Sequence, residues 1–190
     1  KNWSELIKPT KMEVNVEESN GKLGVLIAEP LERGFGLTLG NAIRRILLSS
    51  LQGAAITSIK IKGVVHEFST IQGVKEDLTD ILLNLKSVAV KVHSPGLKKM
   101  YLKSTGSGEL RAGNFETDSE TEIMNPDQLI MTLDSNADIE IEANVETGKG
   151  YVSAEVAEDE NKIIGEIKLD AMFSPVVKTS YKVENSRVGQ

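Results

Sequence analysis

Three glycines, at positions 34, 36 and 40, surround the start of an apolar stretch, where backbone N–H groups at a helix N-terminus could approach a pyrophosphate. The dinucleotide-binding fingerprint needs its third glycine at the position that Leu39 occupies, and no acidic residue after a following strand completes it. The same glycines also suit close packing of the backbone. We favour packing, and a nucleotide-binding enzyme remains a rival hypothesis.

A second candidate for phosphate binding is the sequence Gly148-Lys149-Gly150. A phosphate loop would have Ser or Thr in place of Gly150, to bind magnesium, and glycine in place of Ala143. Neither condition is met. This segment therefore predicts a turn.

The titratable residues do not form a catalytic or metal-binding pattern. His66 and His93 lie in unrelated strand-like segments, without cysteine or an H-E-x-x-H spacing, and a metal site needs several convergent ligands. Glu140, Glu142 and Glu146 alternate with apolar residues, which is typical of the solvated face of a strand. No G-x-S-x-G nucleophile motif occurs. We expect no catalytic residue, no metal site and no cofactor in this chain.

The first apolar stretch has two lines of side chains at helical spacing. Its apolar stripe consists of Leu39, Ala42, Ile43, Ile46 and Leu47. Asn41, Arg45 and Leu48 form a second line on another face, and arginine beside apolar residues is typical of interface hot spots. Solvated helix charges are the simpler explanation of Arg44 and Arg45. The two lines favour two contact surfaces, one of which can pack on the chain's own sheet or on a second copy.

Hydrophobic periodicity predicts two helices and many short strands. The first helix lies between Gly34 and Ser50. The second follows the stripe from Val74 to Leu85, with Glu76 and Asp77 in its first turn and Lys86 in its last. Alternating apolar residues predict strands at 12–16, 88–92, 139–145, 167–173 and 177–183. This mixture predicts an α+β protein.

Composition excludes several classes of protein. The 190 residues include 22 Lys+Arg, 28 Asp+Glu, no cysteine and 39% hydrophobic residues, as in ordinary globular proteins. No apolar stretch approaches the ~20 residues that span a bilayer, and the first residues are not a secretory signal. We expect a cytoplasmic protein that is neither exported nor inserted in a membrane. Its net charge of −6 opposes phosphate binding, so a protein is a better candidate partner than DNA.

Composition also changes along the chain. Residues 94–162 are rich in Ser, Thr, Gly, Asp and Glu, with many predicted strands and no convincing helix. Residues 1–50 instead combine strands with a long apolar helix. We therefore predict a β-rich module inserted into another domain. A generic β-rich module that binds a small ligand is a second rival hypothesis.

The segment from Glu29 to Ser50, EPLERGFGLTLGNAIRRILLSS, closely resembles the signature of the bacterial RNA polymerase alpha subunit family. The resemblance covers essentially the whole chain and includes five further segments. These are Gly63–Ser69, Gly73–Asp77, Leu82–Lys86, Gly148–Val152 and Asp170–Val176. The chain is accordingly expected to be the N-terminal region of such a subunit, with its dimerisation and assembly domains.

The resemblance implies a non-catalytic scaffold subunit of DNA-directed RNA polymerase, a nucleotidyltransferase complex that acts in transcription. Two alpha N-terminal regions form a homodimer, which nucleates assembly of the beta and beta-prime subunits. Catalysis belongs to those large subunits. This region is expected to bind neither DNA nor a membrane directly.

The resemblance also implies three sets of contact residues, of which the first two match the two lines on the helix. The dimer interface consists of Phe35, Leu39, Ile43 and Ile46. The beta contact consists of Arg45 and Leu48. The beta-prime contact consists of Lys86, Leu169 and Asp170.

The fold that the resemblance implies is α+β with two domains. Residues 1–51 and 175–190 form an α/β dimerisation domain, and residues 52–174 form an inserted mainly-β domain. Family members continue beyond the position of Gln190 with a further helix, a linker and a small DNA-binding domain. The dimerisation domain is therefore expected to be incomplete at its C-terminus, and the C-terminal DNA-binding domain to be absent.

Overall fold

The computed structural model describes residues 11–16, 22–66, 68–157 and 163–185, and this part of the chain is mainly β. The helices are α1 (Phe35–Ser49), α2 (Leu78–Lys86) and the single-turn α3 (Ala154–Ala157). The strands are β1 (Lys11–Val16), β2 (Gly24–Glu29), β3 (Gln52–Ile61), β4 (Val90–Val92), β5 (Lys98–Thr105), β6 (Gly108–Arg111), β7 (Thr121–Ile123), β8 (Leu129–Leu133), β9 (Asp138–Lys149), β10 (Tyr151–Val152), β11 (Glu166–Lys168) and β12 (Ala171–Met172).

The chain divides into two compact units. One consists of the described residues within Lys1–Ile46 and Lys178–Gln190, and the other of those within Leu47–Val177. The predicted domain borders, after residues 51 and 174, remain a prediction. Residues 1–10 and 186–190 of the predicted dimerisation domain lie outside the described residues.

The larger unit is built around an antiparallel sheet with the strand order β5-β9-β3-β4-β7, in which β11 also pairs with β3. β9 illustrates how the sequence forms this sheet. Ile139, Ile141, Ala143 and Val145 are buried on one face, whereas Glu140 points to solvent on the other. The predicted strand at 139–145 is confirmed, and α2 buries Leu78, Ile81 and Leu85 in the same hydrophobic core.

α2 begins at Leu78, later than predicted. Asp77 is its N-cap, with a carboxylate that accepts a hydrogen bond from the Asp80 N–H at 2.9 Å. Glu76 lies before the helix, and its carboxylate accepts from the Thr132 N–H at 2.7 Å and the Thr132 hydroxyl at 2.8 Å. The placement of both acidic residues in the first turn is therefore wrong, because one caps the helix and the other is bonded to β8. Lys86 is in the last turn, as predicted.

Glu76→Gln is expected to lower the free energy of unfolding by about 2 kcal/mol at pH 7, because one of the two donors of Thr132 loses a charged acceptor. Burial would raise the pKa of Glu76, but the hydrogen bonds from Thr132 outweigh it and hold the pKa below the ordinary 4.5. Because the pKa of Glu76 is lower in the folded state, its ionised carboxylate stabilises the fold. This stabilisation is complete well above pH 4.5 and is lost as the pH falls through the folded-state pKa.

Urea unfolding at pH 7 and pH 3 checks the Glu76 prediction. The difference in the free energy of unfolding between wild type and Glu76→Gln should have its full size at pH 7 and be smaller at pH 3. Glu116→Gln is the matched control, since Glu116 is an exposed carboxylate in the same unit. A gap of equal size at both pH values would contradict the electrostatic explanation.

Three of the other strand predictions need revision. The run at 88–92 shortens to β4, because the Val88 N–H bonds to Leu85 at the end of α2. The run at 167–173 buries Ile167, Leu169, Ala171 and Phe173 as alternation predicts. It is nevertheless split between β11, which pairs with β3, and β12, which pairs with β10.

The predicted strand at 177–183 is wrong, because these residues form no strand in the described chain. Tyr181 and Val183 instead pack on α1 in the smaller unit, against Gly40 and Gly36. Their alternation reflects contact with a helix, and a period of two cannot distinguish that contact from burial on a sheet. The first helix, predicted between Gly34 and Ser50, is confirmed as α1.

Candidate functional site

Two of the three glycines around the start of α1 serve close packing, as favoured above, whereas Gly34 has a φ of +87° and open space where a Cβ would lie. A Cβ on Gly36 would overlap Val183, and a Cβ on Gly40 would overlap the ring of Tyr181. The Tyr181 hydroxyl also donates a hydrogen bond to Asn41 Oδ1 at 2.5 Å. At the other glycine-rich segment, the predicted turn is wrong for Gly148 and Lys149, which belong to β9 and pair with β3. The chain bends only at Gly150, which has a φ of +65° between β9 and β10.

The apolar stripe of α1 has no fully buried side chain, although every residue of this helix is described. Of the predicted dimer residues, Leu39 and Ile43 are half-buried, whereas Phe35 and Ile46 are 40% and 52% exposed. β2 in the same unit also exposes its apolar side chains, which include Val25, Leu26 and Ile27. An amphipathic helix normally buries its stripe, so the described residues of this unit leave an unusual amount of apolar surface exposed.

The predicted beta-contact residues both belong to α1. Arg45 is exposed and Leu48 is half-buried, and three residues of separation place them on neighbouring turns of one helix face. The Ser174 hydroxyl donates a hydrogen bond to the Leu47 carbonyl at 2.8 Å. This bond satisfies a carbonyl in the last turn of α1 and fixes the backbone beside Leu48.

The structure brings together two of the predicted beta-prime residues, which are far apart in the sequence. Lys86 Nζ lies 3.1 Å from Asp170 Oδ2. Asp170 Oδ1 accepts a hydrogen bond from the Ala154 N–H at 2.8 Å. These donors, Ala154 first and then Lys86, hold the pKa of Asp170 below its usual range. The result is a partly exposed ion pair at the C-terminus of α2.

Leu169, the third predicted beta-prime residue, is only 3% exposed and lies in the hydrophobic core. Its N–H donates a hydrogen bond to the Thr57 carbonyl at 2.9 Å, which continues the pairing of β11 with β3. The side chain is therefore buried within the larger unit. Because Leu169 precedes Asp170 in the sequence, its buried side chain fixes the backbone that carries the Asp170 carboxylate.

Tyr151 is a residue of this cluster that the site prediction missed. Desolvation, and then the negative charge of Asp170 and a hydrogen bond to it, raise the pKa of Tyr151. Tyr151 and Asp170 meet because β10 pairs with β12, a contact that spacing along the chain does not indicate. The available signal was that both residues lie in segments of the family resemblance.

Both histidines and Glu142 of β9 have local partners. His66 Nδ1 accepts from the Phe68 N–H at 3.1 Å, and His93 Nε2 lies 3.6 Å from the Glu122 carboxylate. On β9, Glu140 and Glu146 are exposed, as the solvated-face interpretation predicts, whereas Glu142 is half-buried and pairs with Lys99 at 2.7 Å. The described residues contain no group of three or more His, Asp or Glu that could hold a metal ion.

The core of the larger unit matches a known family. The model of the RNA polymerase Rpb3/RpoA insert domain matches residues 59–174, which is more than half of the chain. The chain belongs to this family. It is an RNA polymerase subunit of the alpha/Rpb3-like type. No described helix has the length and apolar character needed to cross a membrane.

Proposed function

We propose that this chain is the N-terminal region of a bacterial RNA polymerase alpha subunit. In this role it is a non-catalytic, cytoplasmic scaffold in transcription that dimerises and nucleates assembly of the beta and beta-prime subunits. The observation that carries the proposal is the α1 stripe, which stays exposed or half-buried in a single chain. The match to the Rpb3/RpoA insert domain supports the polymerase part, and the segment Glu29–Ser50 supports the bacterial part.

The dimer surface is formed by the stripe of α1. We assign Phe35, Leu39, Ile43 and Ile46 to the contact with a second copy. A homodimer that buries these side chains on both copies would gain roughly 25 cal/mol per Å² of apolar area removed from water. The exposed apolar residues of β2 add to the surface that a second copy can cover.

The two large subunits use different parts of the chain. The beta contact is centred on Arg45 and Leu48 of α1. The beta-prime contact is centred on the Lys86–Asp170 ion pair, with Leu169 as a buried support for Asp170 rather than a contact. The net charge of −6 is consistent with a scaffold that does not bind DNA directly.

The test is co-purification of this chain with the beta-type large subunit, with the mass of the complex measured by light scattering. We expect two copies of the chain with one beta subunit. Arg45→Ala should abolish this complex and leave the thermal unfolding midpoint unchanged, because it removes an exposed anchor. Arg44→Ala is the matched control, an exposed arginine one position away on another side of α1.

Several outcomes would contradict the proposal. A wild-type chain that neither dimerises nor binds the beta subunit would exclude the scaffold role. Equal loading of Arg45→Ala and Arg44→Ala would exclude Arg45 as an anchor. Thermal stabilisation by nucleotides would instead favour the nucleotide-binding rival, and stabilisation by a small molecule without subunit binding would favour the ligand-binding rival.

A further inference from the structure

Two exposed apolar side chains face each other across the β10–β12 pair. Tyr151 is directly opposite Met172 in the antiparallel register. Tyr151 is 58% exposed and Met172 is 48% exposed. Directly opposed residues on one face have Cβ atoms about 5 Å apart, so the two side chains form one continuous apolar patch. The neighbours of Met172 in sequence, Ala171 and Phe173, are buried on the other side.

The Lys86–Asp170 ion pair borders this patch. Asp170 precedes Met172 by two residues, which places it on the same side of the strand. Its carboxylate is held by the Ala154 N–H at 2.8 Å and by Lys86 Nζ at 3.1 Å. Tyr151 lies beside this carboxylate because β10 pairs with β12. A tyrosine ring has only two side-chain torsions, so it loses little side-chain freedom when a partner covers it.

The charges around the patch are unbalanced. Lys86 contributes one positive charge. Asp170 contributes one negative charge, and Glu155 contributes a second, since it follows Ala154, whose N–H donates to Asp170. This group therefore has one net negative charge beside an exposed aromatic ring. Such a combination fits an arginine, whose planar guanidinium stacks on aromatic faces and pairs with carboxylates.

We propose that Tyr151 and Met172 form the apolar centre of the beta-prime contact and that the beta-prime subunit inserts an arginine there. The arginine stacks on the Tyr151 ring and pairs with the carboxylates of Asp170 and Glu155. This inference rests on the proposed function, which assigns the Lys86–Asp170 pair to beta-prime. Tyrosine and methionine are enriched in the buried centres of interfaces, and charged pairs at their edges mainly provide orientation and specificity.

The experiment is the loading of purified beta-prime subunit onto the preassembled complex of this chain with beta, measured as an apparent Kd by titration. Tyr151→Ala should weaken loading by about ten-fold or more, since it removes the aromatic centre. Tyr151→Phe keeps the ring and should weaken loading only about three-fold. Glu155→Gln should weaken loading at low salt and have little effect at high salt, because it removes a charge at the edge.

Tyr101→Ala is the matched control, because Tyr101 is an exposed tyrosine on β5 in the same unit. Met172→Gln is a second test of the patch that leaves Tyr151 intact. Circular dichroism and thermal unfolding should be unchanged in all of these variants, which lie on the surface.

The outcomes separate this inference from the proposed function. If Lys86→Ala weakens loading but Tyr151→Ala and Met172→Gln do not, the patch is not the centre of the contact and the inference is overturned, while the function stands. If wild type loads no beta-prime, both fail. If Tyr151→Ala changes only self-association, measured by sedimentation of the chain alone, the occupant is a second copy and the inference is also overturned.

Discussion

Ile46→Asp is expected to convert the proposed dimer into a monomer while both units stay folded. Ile46 is 52% exposed in the single chain, so an aspartate there remains solvated and costs the monomer little. In a twofold dimer each copy would bring one carboxylate into the interface, where an unpaired charge is strongly unfavourable. We expect a loss of at least about 3 kcal/mol, which is more than a hundred-fold in the dimer dissociation constant.

Sedimentation velocity over a range of protein concentrations measures this effect. The matched control is Leu97→Asp, which places the same charge on an exposed leucine of the larger unit. That variant should sediment as wild type does. A dimer of unchanged strength in Ile46→Asp would remove Ile46 from the interface. A fall in the thermal midpoint at concentrations where the wild type is also monomeric would mean that Ile46 supports the monomer instead.

Gly53→Ala is expected to destabilise the larger unit by about 3 kcal/mol or more, because overpacking against backbone cannot be relieved by a side-chain rotation. Gly53 of β3 is paired with Gly148 of β9, and Phe173 lies against both glycines. A Cβ on Gly53 would occupy the position of the Phe173 carbonyl oxygen. The Phe173 N–H is already bonded to the Gly150 carbonyl at 2.8 Å, so this backbone is held in place.

Chemical denaturation measures the free energy of unfolding of Gly53→Ala. The control is Gly24→Ala in β2, where a Cβ would meet no atom within 4 Å and the change should be close to neutral. Gly148→Ala provides a second comparison, since its Cβ would meet the Phe173 ring at 2.8 Å rather than the backbone. Adding Phe173→Ala should partly relieve the strain at Gly148 and none at Gly53; equal relief at both would contradict the assigned contacts.

Local patterns were sufficient for the elements with strong periodicity. The apolar residues of α1 recur with the period of a helix, and those of β9 recur with the period of a strand, so each pattern matches one type of secondary structure. The strand prediction for residues 177–183 failed because two of the alternating residues pack on a helix instead of pairing in a sheet. The start of α2 was misplaced because Glu76 is bonded to β8, and no local propensity reveals a partner so distant in the sequence.

Some candidate site residues could likewise be predicted from local spacing, whereas others depend on tertiary contacts. The two lines of α1 follow from helical spacing, which is enough by itself to assign Ile46 and Arg45 to different faces of the helix. The beta-prime set came only from the resemblance, and Tyr151 was missed because its link to Asp170 depends on the pairing of two short strands. Leu169 was included only because of the resemblance, although the alternation at 167–173 places it on the buried face.

The sequence by itself determined the existence of the two longer helices, the alternating faces of the main strands and the polymerase family, since these depend on local repeats and on extended motifs. It did not indicate the single-turn α3. Only the tertiary structure decided that Lys86, Asp170 and Tyr151 lie close together, and that Phe173 packs against the paired glycines of β3 and β9. The physical reason is that a local repeat constrains which face of an element is apolar, whereas the identity of the neighbour on that face is set by strand pairing between distant segments.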